Sequence, residues 1–190
     1  LHLSIRRQRQ MCIRDSSTGV TSFLPTTLTS SYEQLLAVTE NIGARYQEAS
    51  GAKIRGIYFE GPYFTEKYKG AQNPAYMKDP RMDEFRAWQK AANGLLNKIA
   101  LAPEREGVED FVRTITGEGV TVALGHSNAT FDEAKKAVDA GASVWVHAYN
   151  GMRGLTHREL GMVGAMYELP HTYAELICDG HHVDPKACDI

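Results

Sequence analysis

Glu60, His126 and His147 each stand at the end of a run that reads as a β-strand: "KIRGIYFE", "VTVALGH" and "SVWVH". Glu60 follows Ile57, Tyr58 and Phe59, an apolar run in which a lone carboxylate is costly without a partner. Gly61 and Pro62 come next and stop the strand, which puts Glu60 at its last position. One histidine at a strand end is ordinarily a hydrogen-bonded core residue. A glutamate and two histidines at corresponding ends of different strands point instead to one shared site. That set, with a position left for water, is the ligand set of a catalytic zinc site. The same oxygen and nitrogen donors also suit iron or manganese.

Strands and helices must alternate if these residues are to meet. "VTSFLPTTL" (20–28) reads as a strand, and a helix follows with Leu35, Val38, Ile42 and Tyr46 on one face. Ser30 and Glu33 are read as its capping box, and Gly51 as its far end. After Glu60 comes a long loop, "GPYFTEKYKGAQNPAYMKDP", of a length that is functional or disordered. "RMDEFRAWQKAAN" reads as a helix, "NKIALAPE" as a strand ending at Pro103 and Glu104, and "GVEDFVRTITGEG" as a helix. "TFDEAKKAVDAG" is a further helix, with Thr130 and Glu133 as a second capping box. "YAELICDGHH" is the last strand, with no helix expected after it. The pattern predicts an α/β fold with parallel strands and crossover helices, a partial (β/α)8 barrel of about five units. The chain reads as cut at both ends.

Composition narrows the setting. The chain has 190 residues, 43% of them hydrophobic, and a formal net charge of −2, which gives no reason to expect nucleic acid or an acidic membrane as partner. No apolar stretch approaches a membrane span. Cys12, Cys178 and Cys188 lack zinc-type spacing and fit reduced thiols in a cytoplasmic protein. The acceptor-like "NAT" at Asn128 follows no signal peptide and is discounted. Residues 1–17, "LHLSIRRQRQMCIRDSS", are Arg/Gln-rich and resemble translated adapter sequence more than an organellar leader. They are set apart from residues 18–190, read as an incomplete barrel domain.

"FEGPYF", "GHSNA", "HAYNGMRGLTHRELGMVGA" and "DGHHVDP", in that order, resemble the N-acetylglucosamine-6-phosphate deacetylases of the amidohydrolase superfamily. The resemblance runs from about Gly19 to the end. It implies a metal-dependent (β/α)8 barrel that converts N-acetylglucosamine 6-phosphate to glucosamine 6-phosphate and acetate, a cytoplasmic step of amino-sugar catabolism, and a homodimer at full length. It makes Glu60, His126 and His147 the ligands of a divalent ion, zinc foremost. It assigns Ala71, Gln72, Asn150, Gly151, Arg158 and His182 to substrate, with Arg158 and His182 on the phosphate and sugar. Some members carry His where this chain has Gln72, which cannot titrate near neutral pH. "HREL" departs from the more usual "HREP" at Leu160. The family's catalytic aspartate is expected beyond the C-terminus, since Asp179 belongs to the "DGHH" motif and does not align with it. Two other readings stand beside this one: an amidohydrolase acting on a related amide, and a non-enzymatic fragment that binds metal or sugar.

Overall fold

The computed structural model describes residues 16–190. Cys12 and residues 1–15 of the expected leader lie outside the described residues. Six strands form one parallel sheet in chain order: β2 (Thr26–Thr27), β4 (Ile57–Glu60), β5 (Leu96–Leu101), β6 (Thr121–Leu124), β7 (Val144–Trp145) and β8 (Tyr173–Ala174). A separate parallel pair joins β1 (Ser22–Phe23) to β3 (Lys53–Ile54). Between the sheet strands run α1 (Tyr32–Arg45), α2 (Met82–Ala91), α3 (Val108–Thr116), α4 (Phe131–Asp139) and α5 (Gly161–Glu168). Neighbours in sequence are therefore neighbours in the sheet, each joined by a helical crossover. That is the wall of a (β/α) barrel over part of its circumference. Among the described residues no helix is long and apolar enough to cross a membrane.

Period-two alternation explains how the sheet buries both faces. Ile57 and Phe59 of β4, Ile99 and Leu101 of β5, Val122 and Leu124 of β6, and Trp145 of β7 face the helices. They meet Leu35, Trp88, Phe111 and Ile115 there, all nearly or fully buried. Tyr58, Ala100, Ala123 and Val146 take the opposite, inner face, joined by Phe64 from the loop after β4. Glu60 shares that inner face by its spacing from Tyr58. Lys98 lies on the same face, its ammonium 4.3 Å from the centre of the Tyr58 ring and ion-paired with Glu175.

Local signals account for the starts of α1 and α4. Thr130 Oγ1 accepts from the Glu133 N–H at 3.3 Å, and the Glu133 carboxylate accepts from the Thr130 N–H at 2.8 Å. This box, worth about 1 kcal/mol, opens α4 as its sequence predicts. The first box lies one residue later than expected, on Ser31 and Gln34. "SSYEQ" offers two overlapping boxes, and the extended backbone at Ser31 selects the second. The helix ends at Arg45, short of Gly51, with a 3-10 turn over Tyr46–Glu48. The strand expected over 20–28 divides into β1 and β2. The last strand shrinks to two residues, and a short helix, α6 (Pro185–Cys188), follows it where the sequence pattern suggests none. Asp184 accepts from the Lys186 N–H and Pro185 sits at the first helical position, two start signals that the sequence carries. Cys178 and Cys188 are free thiols, their sulfurs 3.9 Å apart.

Candidate functional site

Parallel register brings the two histidines level. Leu124 of β6 pairs with Trp145 of β7, and each ligand candidate lies two residues further on, at His126 and His147. Both leave their strands through left-handed backbone, with φ of 45° and 35°. Such conformations in non-glycine residues are strained, and they persist where surrounding contacts hold them. Here Thr65 donates its N–H to the His126 carbonyl at 3.1 Å, and Asn150 donates to the His147 carbonyl at 3.0 Å. Gly151 passes over the His126 ring so closely that a Cβ there would lie 3.2 Å from Nδ1. Its own φ of 62° also favours glycine.

The loop after β4 is ordered and forms one wall of the site. Tyr63 and Phe64 are fully buried, and the Phe64 ring packs on His126 with centroids 4.5 Å apart. The Tyr68 carbonyl accepts from His126 Nδ1 at 2.9 Å, and the Asn150 carbonyl accepts from His147 Nδ1 at 2.9 Å. A carbonyl can only accept, so each ring carries its proton on Nδ1 and turns Nε2 inward. His126 Nε2 lies 3.1 Å from Glu60 Oε1, and His147 Nε2 lies 3.0 Å from His126 Nε2 and 3.6 Å from the same Glu60 oxygen. Three lone-pair atoms thus crowd together with their ring protons already committed outward. Only a cation, a proton or a metal ion, makes that arrangement favourable. A tetrahedral ion with ligand bonds of about 2.0–2.1 Å needs ligand separations of about 3.3 Å, and the observed ones fall on either side of that. Glu60, His126 and His147 can therefore hold one metal ion.

Electrostatics fit the same picture. In the metal-free site burial would push the Glu60 carboxyl up, but a proton on the facing imidazole nitrogens of His126 and His147, through hydrogen bonding and charge, holds it at about 2. Burial would pull the His147 imidazole down, and Glu60 beside it raises it overall. The signs give a testable pH dependence. A depressed Glu60 stabilises the metal-free fold above about pH 4.5, an effect lost as pH falls through about 2. A raised His147 stabilises it below about pH 6.5, and that is lost as pH rises through the higher folded value. Metal must displace the His147 proton. The increase in Tm on adding a divalent ion should therefore grow between pH 5.5 and pH 8. Melting curves with and without Zn2+ across that range check this, and a larger increase at pH 5.5 would contradict it.

The other expected residues divide into three groups. Gln72 is buried, with 3% of its surface exposed, and both the oxygen and the nitrogen of its amide have partners. Its Oε1 accepts from the Thr29 N–H at 2.7 Å, and its Nε2 donates to Glu60 Oε1 at 3.0 Å. In this arrangement Gln72 orients the carboxylate. Asn150 and Gly151 lie on the turn beside both rings, and Ala71 is exposed next to Gln72. Arg158 and His182 are exposed on separate loops. Glu159 pairs with Arg153, leaving Arg158 outside that ion pair. His182 Nδ1 donates to Asp179 at 2.7 Å, and Asp179 also accepts from the His181 and His182 N–H groups at 2.9 Å each. Those backbone bonds first, then the His182 ring, hold the Asp179 carboxyl at about 2, a poor proton donor. Sequence reasoning misses the Tyr68 carbonyl, since a backbone acceptor carries no residue signature.

The curated N-acetylglucosamine-6-phosphate deacetylase of Vibrio furnissii is 43% identical over 173 residues, 90% of this chain and 43% of the relative. The N-acetylgalactosamine-6-phosphate deacetylase of Escherichia coli O157:H7 is 41% identical over 95% of this chain and 48% of its own. Among solved structures, a variant of the Mycobacterium smegmatis N-acetyl-D-glucosamine-6-phosphate deacetylase in complex with N-acetyl-D-glucosamine 6-phosphate superposes with a TM-score of 0.82 at 33% identity. It covers 87% of this chain and 43% of that one. The chain is homologous to part of these deacetylases. It spans less than half the length of the curated relatives it matches. No protein-family model matches it. The parallel sheet and its crossover helices are shared with the solved deacetylases.

Proposed function

We propose that the protein removes the N-acetyl group of N-acetylglucosamine 6-phosphate, yielding acetate and glucosamine 6-phosphate, with zinc held by Glu60, His126 and His147. The observation that carries this reading is the crowding of those three ligand atoms within 4.8 Å at the strand ends of a chain homologous to such enzymes. Iron or manganese would satisfy the same donors. A bound divalent ion there would supply Lewis-acid polarisation and a lowered water pKa. The chain's own residues do the positioning. Tyr68 and Asn150 fix the imidazole tautomers through their carbonyls, and Gln72 holds the Glu60 carboxylate. On this reading Ala71, Gln72, Asn150 and Gly151 line the sugar's place, while Arg158 and His182 meet its phosphate and hydroxyls. Arg158 suits a phosphate because its guanidinium is permanently charged and can bind bidentately.

The leaving amine needs a proton donor. Glu60 is the carboxylate of the cluster and Asp179 is committed to its own loop, both held at about 2. The proposal therefore calls for another carboxyl group, an aspartate from further barrel wall, with residues 18–190 forming part of a longer domain. We place the protein in the cytoplasm as a homodimer. N-acetylgalactosamine 6-phosphate is the second substrate reading, drawn from the 41% identity to a deacetylase named for that epimer. Acetate release from the two sugar phosphates and from N-acetylglucosamine decides among these. Fastest turnover of N-acetylglucosamine 6-phosphate is expected. Preference for the galacto epimer would reassign the substrate, and turnover of neither phosphate would leave a metal- or sugar-binding protein.

A further inference from the structure

Three of four consecutive strands send a ligand candidate to the cluster: β4 gives Glu60, β6 gives His126 and β7 gives His147. The strand between them, β5, gives none. It nevertheless leaves the sheet through Pro103 into a carboxylate, Glu104, half-buried beneath the loop that carries His126. Glu104 Oε2 accepts from Ser127 Oγ at 2.7 Å, and Glu104 Oε1 accepts from the Asn128 N–H at 2.7 Å. Ser127 Oγ in turn accepts from the Ala129 N–H at 2.9 Å. Ser127 is fully buried, so its hydroxyl depends on these partners. Its main chain is tied as well, with its N–H donating to the Gly151 carbonyl and its carbonyl accepting from the Arg153 N–H, both at 3.0 Å.

We propose that Glu104 is a positioning residue for metal binding, clamping residues 127–129 so that His126 stays in its strained backbone conformation with Nε2 turned toward Glu60 and His147. Left-handed backbone at a non-glycine residue relaxes unless its neighbours are held on both sides. Before His126 the backbone is fixed by β6. After it, the next two residues each donate one hydrogen bond to Glu104. The Asn128 N–H can only donate, and the Ser127 hydroxyl, whose oxygen already accepts from the Ala129 N–H, donates its proton as well, so a group that accepts twice suits both. Glutamine keeps the shape of Glu104, but with its NH2 toward Ser127 it leaves that buried hydroxyl proton without its acceptor, and with its NH2 toward Asn128 it sets two N–H donors face to face, so either orientation weakens the clamp. Support that orients a ligating imidazole typically matters 10- to 100-fold in metal affinity.

The inference rests on the metal reading above, and one experiment separates the two. Zn2+ dissociation constants are measured by chelator competition for the full-length protein and its Glu104→Gln, Ser127→Ala and doubly substituted forms, with Glu106→Gln as control. Metal-free melting temperatures are recorded alongside, and Co2+ is substituted for its visible spectrum. Glu106 is exposed and takes no part in the cluster. Glu104→Gln is expected to weaken Zn2+ about tenfold and to shift the Co2+ bands, with the metal-free melting temperature little changed. Adding Ser127→Ala should weaken binding less than the product of the single effects, since both act on one network. If Glu104→Gln does not fold, the Ser127→Ala affinity and spectrum carry the test alone. Affinity within twofold of wild type in the folded variants, or a loss matched by Glu106→Gln, overturns the clamp. Failure of the wild-type protein itself to bind Zn2+ removes the metal reading beneath it.

Discussion

Replacing His147 with alanine is expected to strip most of the bound divalent ion from the purified protein, and His126→Ala should do the same. Each ring supplies one inward Nε2 whose outward Nδ1 proton is committed to a backbone carbonyl. No neighbouring side chain in the cluster can take its place, because Gln72 reaches Glu60 through an amide NH2 and has no lone pair to offer there. Losing one of three ligands leaves an ion with two protein donors, too few for the three-ligand pattern of catalytic sites. His157→Ala is the matched control, an exposed histidine outside the cluster. Elemental analysis reads the result. Full occupancy in both ligand variants would remove Glu60, His126 and His147 from the role given to them.

Arg158→Ala should impair turnover of N-acetylglucosamine 6-phosphate far more than turnover of unphosphorylated N-acetylglucosamine. Truncating one partner of a charge pair buried in a complex costs about 2–5 kcal/mol; that figure applies if the bound sugar phosphate covers Arg158, and only the phosphorylated sugar supplies the other charge. Arg158 stands exposed beside the Arg153–Glu159 pair, so its guanidinium is not spent on that carboxylate. Steady-state kcat/KM on both substrates gives the comparison. Equal loss on both would make Arg158 a structural residue of its loop.

Much of this site is legible in the amino-acid sequence, for a physical reason. Strand ends are marked by sharp composition changes, and a carboxylate after Ile57–Phe59 with Gly61–Pro62 behind it has few explanations. The helix start at Thr130 is equally plain, because its capping box occurs once in its stretch. The first helix start is ambiguous because "SSYEQ" contains two boxes in overlapping frames, and the chain uses the second, with Ser31 extended. The division of 20–28 into β1 and β2, and the shortness of β8, depend on which neighbours each strand meets, information that local sequence does not carry. Gln72 shows the same limit within the site. The family resemblance gives it contact with the sugar, and its hydrogen bonds to Thr29 and Glu60, partners far from it in sequence, come from the fold alone. Glu104 is visible as a strand end but not as a clamp, because Ser127 and the Asn128 N–H join it only through the fold.

Metal removal and restoration test the central claim most directly. Acetate release from N-acetylglucosamine 6-phosphate is followed in the full-length protein as purified, after removal of divalent ions by a chelator, and after stoichiometric Zn2+ is returned. A parallel series uses Glu60→Gln. Activity should vanish on removal and return with one ion per chain in the wild type, while Glu60→Gln should regain little. Undiminished turnover by demonstrably metal-free protein would contradict a metal centre at Glu60, His126 and His147.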